Sequence, residues 1–214
     1  MTSVSSDTVL EVEHLSVSFP TSRGTSTVVD DSSFTVEAGR TVGIVGESGS
    51  GKSMTSLAIM GLLPGGGRAV GSAKLGLSDR AMRPIRGDRM AMVFQDPLSS
   101  LNPFYTVGLQ IAEAYRSHRK VSKQAAKKIV IAALDRVGIP DPERRYNHYP
   151  DQFSGGMRQR IMIAMAICLE PELLICDEPT TALDVTVQAQ ILGLLSGLQK
   201  ENGMGMVFIT HDLA

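Results

Sequence analysis

The chain is poor in the residues that staple a protein together or anchor it in a bilayer. Its 214 residues include only two cysteines, Cys168 inside an apolar run and Cys176 just before an Asp-Glu pair. Neither their number nor their spacing suits a disulfide framework or a metal-ligand set. Both read as buried thiols in a reducing compartment. Long apolar runs are also missing. The longest, from Ile161 to Leu169, is about half of the roughly 20 residues that a membrane-spanning helix needs. Met1 to Thr8 is polar and has neither the basic nor the apolar region of a secretory leader. A cytosolic chain is therefore expected, one that meets a membrane only through a partner. Charge of one sign is lacking too: 21 basic and 22 acidic residues leave a net charge of -1. That balance argues against a polyanion binder driven by overall positive charge, and no nucleic-acid partner is expected.

What is present is ordinary globular composition, 43% hydrophobic and 20% charged, at a length that buries a substantial core. One domain over 1–214 is expected, with a lobe inserted into it. From Val9 to Phe19 apolar and polar residues alternate, and Val28-Val29 and Phe34 to Val36 continue the pattern. Turns are expected at Asp30 to Ser33 and at Ala38-Gly39. This opening reads as a small antiparallel sheet. Thr41 to Val45 is a β-branched run, Ser53 to Met60 a helix, Val70 to Leu77 a return to the small sheet, and Arg89 to Phe94 a further strand. Pro97 to Ser154 turns helical. There Ser122 can cap a helix whose apolar face holds Ala125, Ala126, Ile129, Val130, Ala133, Leu134 and Val137.

After Gly155-Gly156 an apolar helix is expected to reach Leu169, followed by a buried strand over Leu173 to Cys176, a helix over Thr186 to Lys200, and a strand over Met206 to Thr210. Strands alternating with helices imply an α/β fold, a mainly parallel sheet with helices on both faces.

Two segments carry chemistry. Gly46-Glu47-Ser48-Gly49-Ser50-Gly51-Lys52-Ser53 lies between a strand and a helix. Its glycines let successive amides point inward, and the helix adds its positive N-terminal end. This is a phosphate loop built for a nucleoside triphosphate, here ATP. Lys52 would reach the β- and γ-phosphates and the Ser53 hydroxyl would ligate Mg2+. Asp177 and Glu178 close the buried strand, where α/β sheets open their ligand crevice. Asp177 would hold the magnesium, and Glu178 could take a proton from an attacking water.

With these segments in place the chain resembles the ATP-binding-cassette ATPases, the nucleotide-binding subunits of ABC transporters. The stretch Phe153-Ser154-Gly155-Gly156-Met157-Arg158-Gln159-Arg160 looks like that family's signature. A serine hydroxyl, two glycine amides and a helix start make it a second anion site in its own right. The resemblance implies that Ser154, Gly155 and Gly156 close on the γ-phosphate held by a partner subunit. It also implies that Gln95 contacts magnesium and the attacking water, that His211 contacts the γ-phosphate, and that Phe19 stacks on adenine. Thr181-Ala182-Leu183-Asp184 looks like the loop by which two such domains meet, although Asp184 also suits a helix cap. His14, His118 and His148 match no role.

Phe94 to Pro103 and the variant signature ending Met157-Arg158-Gln159-Arg160 resemble the dipeptide, oligopeptide and nickel importer branch. The implied fold is a P-loop NTPase core, a small N-terminal antiparallel β subdomain and an inserted helical subdomain over 97–160. The implied activity is ATP hydrolysis coupled to uptake of di- or oligopeptides. The implied partners are a second ATPase subunit, identical or related, two transmembrane permease subunits and an extracytoplasmic substrate-binding protein, so that the chain sits peripherally at the cytoplasmic face of the cell membrane. Relatives continue beyond the histidine loop, so a C-terminal truncation is expected, and 71–87 looks short against them. The rival readings are an importer of nickel or another small solute, a soluble cassette ATPase acting on DNA or the ribosome, and a regulatory cassette that binds ATP without turnover.

Overall fold

The computed structural model describes residues 7–73, 84–181 and 183–211. In chain order, β1 (Thr8–Thr21) and β2 (Gly24–Glu37) form a hairpin, β3 (Thr41–Val45) leads toward α1 (Lys52–Ile59), and β4 (Arg68–Ala73) and β5 (Met90–Val93) follow. A helical stretch comes next, made of the short α2 (Pro97–Ser100), α3 (Val107–His118), α4 (Lys123–Arg136), the short α5 (Pro142–Arg145) and a single 3-10 turn over Pro150–Gln152. The chain then runs through α6 (Gly155–Ile167), β6 (Leu173–Asp177), α7 (Val185–Asn202) and β7 (Gly205–Thr210).

Two sheets result. One is antiparallel, in the order β2-β1-β4; the other is parallel, in the order β3-β7-β6-β5. The parallel sheet separates two apolar cores, and alternation along its strands sorts the side chains between them. Ala91, Val93, Leu174, Cys176 and Met206 face a core filled by α3, α4, α6 and α7. Met90, Leu173, Ile175, Val207 and Ile209 face the opposite core, closed by Ile59 and Met60 around α1 and by Leu10, Val12, Val17 and Val36 of the antiparallel sheet. The second face of the parallel sheet is thus covered by one helix together with the small sheet. Every residue of β6 is buried, and each large aliphatic side chain so placed stabilises the fold by about 1.5–3 kcal/mol.

Local chemistry sets the element ends. Thr106, Ser122, Ser154 and Asp184 each cap a helix by accepting a backbone N–H in the first turn. Gly203, at φ 64, closes α7 in the left-handed conformation that glycine adopts without steric cost. The expected turn at Asp30 to Ser33 is not a turn: β2 runs straight through it. Asp31 and His14 take positive φ, 49 and 52, and the ladder shifts register there. Serine side chains supply the missing partners, since His14 N donates to Ser33 Oγ at 2.8 Å and Asp31 N donates to Ser16 Oγ at 3.0 Å. A bulge can therefore absorb residues that sequence alone assigns to a turn. The expected return strand is β4, displaced to Arg68–Ala73; its remainder, 74–77, lies outside the described residues. α6 stops two residues short of Leu169, with Cys168 as its C-cap.

Candidate functional site

β3 delivers the chain to a loop that glycine alone allows at two points. Gly49 and Gly51 have φ of 84 and 89, and a Cβ on Gly51 would collide with the carbonyl of Val28 on β2. Gly51 is the N-cap of α1 and offers no side chain, so the first amides of that helix stay open toward the loop. Lys52 is 6% exposed. Its Nζ donates to the carbonyls of Gly46 at 2.6 Å and Glu47 at 2.8 Å, which stretches the ammonium across the loop mouth.

The end of β6 meets this loop. Ser53 Oγ donates to Asp177 Oδ1 at 3.0 Å. Burial raises the pKa of Asp177; the Ser53 hydrogen bond opposes that rise, the Glu178 charge adds to it, and the Lys52 ammonium lowers it. Side chains on a strand alternate between faces, so two adjacent carboxylates would normally point apart. Glu178 escapes this by taking φ 46 while its N–H remains anchored to Ile209 O at 3.0 Å. The left-handed residue turns its side chain back into the cleft, where Oε1 lies 3.8 Å from Lys52 Nζ. Strain of this kind costs about 1–3 kcal/mol and gathers at functional sites.

Glu178 Oε2 is the hub of the cleft. It lies 3.1 Å from Gln95 Nε2, 3.0 Å from Thr181 Oγ1 and 3.1 Å from His211 Nδ1. The side chain of Glu178 is only 11% exposed, against 51% for His211. These groups, with Ser48, Gly49 and Met54, line an open cleft of about 440 Å³, a volume suited to a small-molecule ligand.

The structure thus brings Ser48, Gly49, Gly51, Lys52, Ser53, Gln95, Glu178 and His211 to one cleft, with Asp177 against Ser53 at its floor. Gly46 and Glu47 form the back of the loop through Lys52, and Ser50 lies against Gly46, where an added Cβ would stand 2.8 Å from its hydroxyl. Phe19, Ser154, Gly155 and Gly156 are not in the lining. Phe19 is half-buried against the second core, and a Cβ on Gly67 would sit 2.7 Å from its ring. Ser154 is exposed and caps α6 through Met157 N at 3.4 Å. Gly156 lies under Val187 of α7, and Gly155 faces Leu183.

Three lining residues, Val28, Met54 and Thr181, were not among the expected site residues, and Met54 is brought there simply by following Ser53 on α1. Val28 carries no local signal, because only the hairpin folding over Gly51 brings it there. Thr181 had one, since Glu178-Pro179-Thr180-Thr181 places proline second in a turn closed by Thr181 N donating to Glu178 O at 3.2 Å.

A glycine loop before a helix, a lysine across its mouth and two carboxylates at a neighbouring strand end define a P-loop nucleotide site on a parallel α/β sheet. Residues 29–181 match the family model described as ABC transporter. The chain belongs to the ABC transporter family. It is 53% identical over 213 residues to the Dipeptide transport ATP-binding protein DppD of Bacillus subtilis (strain 168), covering 96% of this chain and 64% of that one. It is 51% identical over 211 residues to the Oligopeptide transport ATP-binding protein OppD of Salmonella typhimurium, covering 96% and 63%. The chain therefore spans under two thirds of the length of these relatives. Among solved structures, the dimeric cassette MJ0796 superposes with TM-score 0.81 at 27% identity, covering 96% of this chain and 89% of that one. A post-hydrolysis state of the same cassette, bound to ADP and Pi, superposes equally well.

Proposed function

We propose that the chain is the ATP-hydrolysing, nucleotide-binding subunit of an ABC importer for di- or oligopeptides. The observation that carries the hydrolytic reading is the placement of Glu178, a carboxylate held by neighbouring polar groups beside the phosphate-loop lysine. The peptide reading rests on the names of the relatives above.

ATP would lie with its phosphates on the amides of Gly46 to Ser53, Lys52 neutralising the β- and γ-phosphates. The donor set suits Mg2+: a hydroxyl and a carboxylate 3.0 Å apart, both hard oxygen ligands, with no cluster of three or more His, Cys, Asp or Glu side chains among the described residues. Such a site fits a cation that completes its shell with phosphate oxygens and water. Ser53, Asp177 and Gln95 would hold it, and it would polarise the γ-phosphate. Glu178 takes a proton from the attacking water while the water oxygen bonds to the γ-phosphorus. The bond to the bridging oxygen breaks, and ADP leaves with the electron pair. His211 steadies the γ-phosphate, and Phe19 stacks on adenine.

Ser154, Gly155 and Gly156 lie outside the lining of the chain's own cleft, and Ser154 is exposed, which supports closure on the nucleotide of a second ATPase subunit. No described helix is long and apolar enough to cross a membrane. As in the importers whose names the relatives carry, the chain would pass energy by contact to two permease subunits, on the cytoplasmic face. The helical lobe over 97–160 is the arm for that contact. An apolar groove of about 260 Å³ lined by Met92, Phe94, Met162 and Met165 supports this assignment. A binding protein on the far side would deliver the peptide.

The test is uptake into vesicles carrying the permeases, the binding protein and both ATPase subunits. ATP-dependent accumulation of a labelled dipeptide is expected. Accumulation of Ni2+ with no peptide uptake would replace the peptide reading by the metal one.

A further inference from the structure

We infer that Thr181 is a positioning residue for Glu178: its hydroxyl fixes the carboxylate so that Oε1 is the oxygen that receives the proton from water. This rests on Glu178 being the general base. A carboxylate oxygen has about two lone-pair sites. Oε2 already meets Thr181 Oγ1 at 3.0 Å, Gln95 Nε2 at 3.1 Å and, with that nitrogen protonated, His211 Nδ1 at 3.1 Å. Its acceptor capacity is used up. Oε1 is the oxygen that faces Lys52, at 3.8 Å, toward the phosphate loop.

The three partners differ in how they are held. Gln95 follows β5 and His211 follows β7, and both are exposed, so each reaches Glu178 from another segment of the chain. Thr181 belongs to the same four-residue turn as Glu178, closed by its own N–H at 3.2 Å, and it is half-buried. Its hydroxyl therefore meets Oε2 with almost no loop-closure cost. The left-handed φ of 46 at Glu178 aims the side chain at the cleft, and Thr181 sets its final rotation. In the reaction the water O–H bond breaks, the proton passes to Oε1 and the water oxygen attacks the γ-phosphorus. Thr181 keeps its proton throughout.

The test is ATP turnover by the complete importer carrying Thr181→Val, Thr181→Ser, Glu178→Gln or Glu178→Gln with Thr181→Val. Loss of a hydrogen bond to a charged group predicts that Thr181→Val lowers kcat about tenfold or more. The KM for ATP should stay within about twofold, because the hydroxyl acts on the reacting water and not on ground-state binding. Thr181→Ser, which keeps the hydroxyl, should restore kcat to within about threefold, and Thr181→Val should add no further loss to Glu178→Gln, since coupled residues are non-additive. Binding of a fluorescent ATP analogue at unchanged affinity shows that the variants are folded. Unchanged kcat in Thr181→Val, a raised KM with kcat intact, failure of Thr181→Ser to restore turnover, or a full multiplicative loss in the double variant would each overturn the assignment. If Glu178→Gln alone left turnover intact, the general-base reading would fall and this one with it. A null Thr181→Val beside an inactive Glu178→Gln removes only Thr181.

Discussion

Ser53 and Asp177 are 124 residues apart in sequence, and their side chains meet at 3.0 Å. This single hydrogen bond ties the phosphate loop to the end of β6 and brings together two of the three proposed magnesium ligands. Asp177→Asn keeps the shape and removes the charge. It should raise the Mg2+ concentration needed for half-maximal ATP turnover about tenfold, in keeping with the loss of an outer ligand. A titration of Mg2+ at saturating ATP checks this, and an unshifted midpoint would remove Asp177 from the metal site.

Gly51 tests the loop itself. Any side chain there would have φ 89 and a Cβ driven into the Val28 carbonyl. Gly51→Ala should therefore destabilise the fold by about 1–3 kcal/mol through strain and weaken ATP binding, because the amides that cradle phosphate are displaced. Denaturant unfolding and nucleotide titration of the same variant measure the two effects together.

Ser154 tests whether a second subunit completes the proposed site. It is exposed and lies outside the cleft lining. Ser154→Arg should leave ATP binding by the isolated chain unchanged, at a capping cost of about 1 kcal/mol, while abolishing turnover in the complete assembly. Weakened binding in the isolated chain would place Ser154 at its own nucleotide instead.

The sequence made the loop readable because its logic is local: glycine spacing, then lysine, then serine, between a strand and a helix. The apolar runs of β6 and β7 were equally plain as strands, and both lie in the parallel sheet; how their side chains divide between the two cores emerges only from the fold. Glu178 shows where such reading stops. Strand alternation would send it away from Asp177, and only a positive φ, invisible in the residue types, returns it to the cleft. Asp31 shows the converse error: a run of Asp and Ser that favours a turn became a bulge because serine hydroxyls on both strands satisfied the freed backbone groups. The helical stretch after Pro97 was legible as helical, but its division into α2 to α5 depends on breaks around Pro103, at 119–122 and around Pro140 that propensity alone does not order in space.

The cysteines give a pH prediction. Burial pushes the Cys168 thiol up to about 11 and the fully buried Cys176 thiol still higher. The thiolate is the reactive form, so at pH 7 to 9 both should resist alkylation in the native protein and react readily in guanidinium. Mass spectrometry after timed iodoacetamide exposure reads this directly. Rapid native labelling of Cys176 would contradict the burial of β6.

The central claim is that this chain hydrolyses ATP with Glu178 as the base, and the most direct measurement is steady-state phosphate release by the complete assembly carrying Glu178→Gln. Loss of about 10²–10⁴-fold in kcat is predicted, with ATP still bound. Turnover at the level of the unsubstituted assembly would contradict the account.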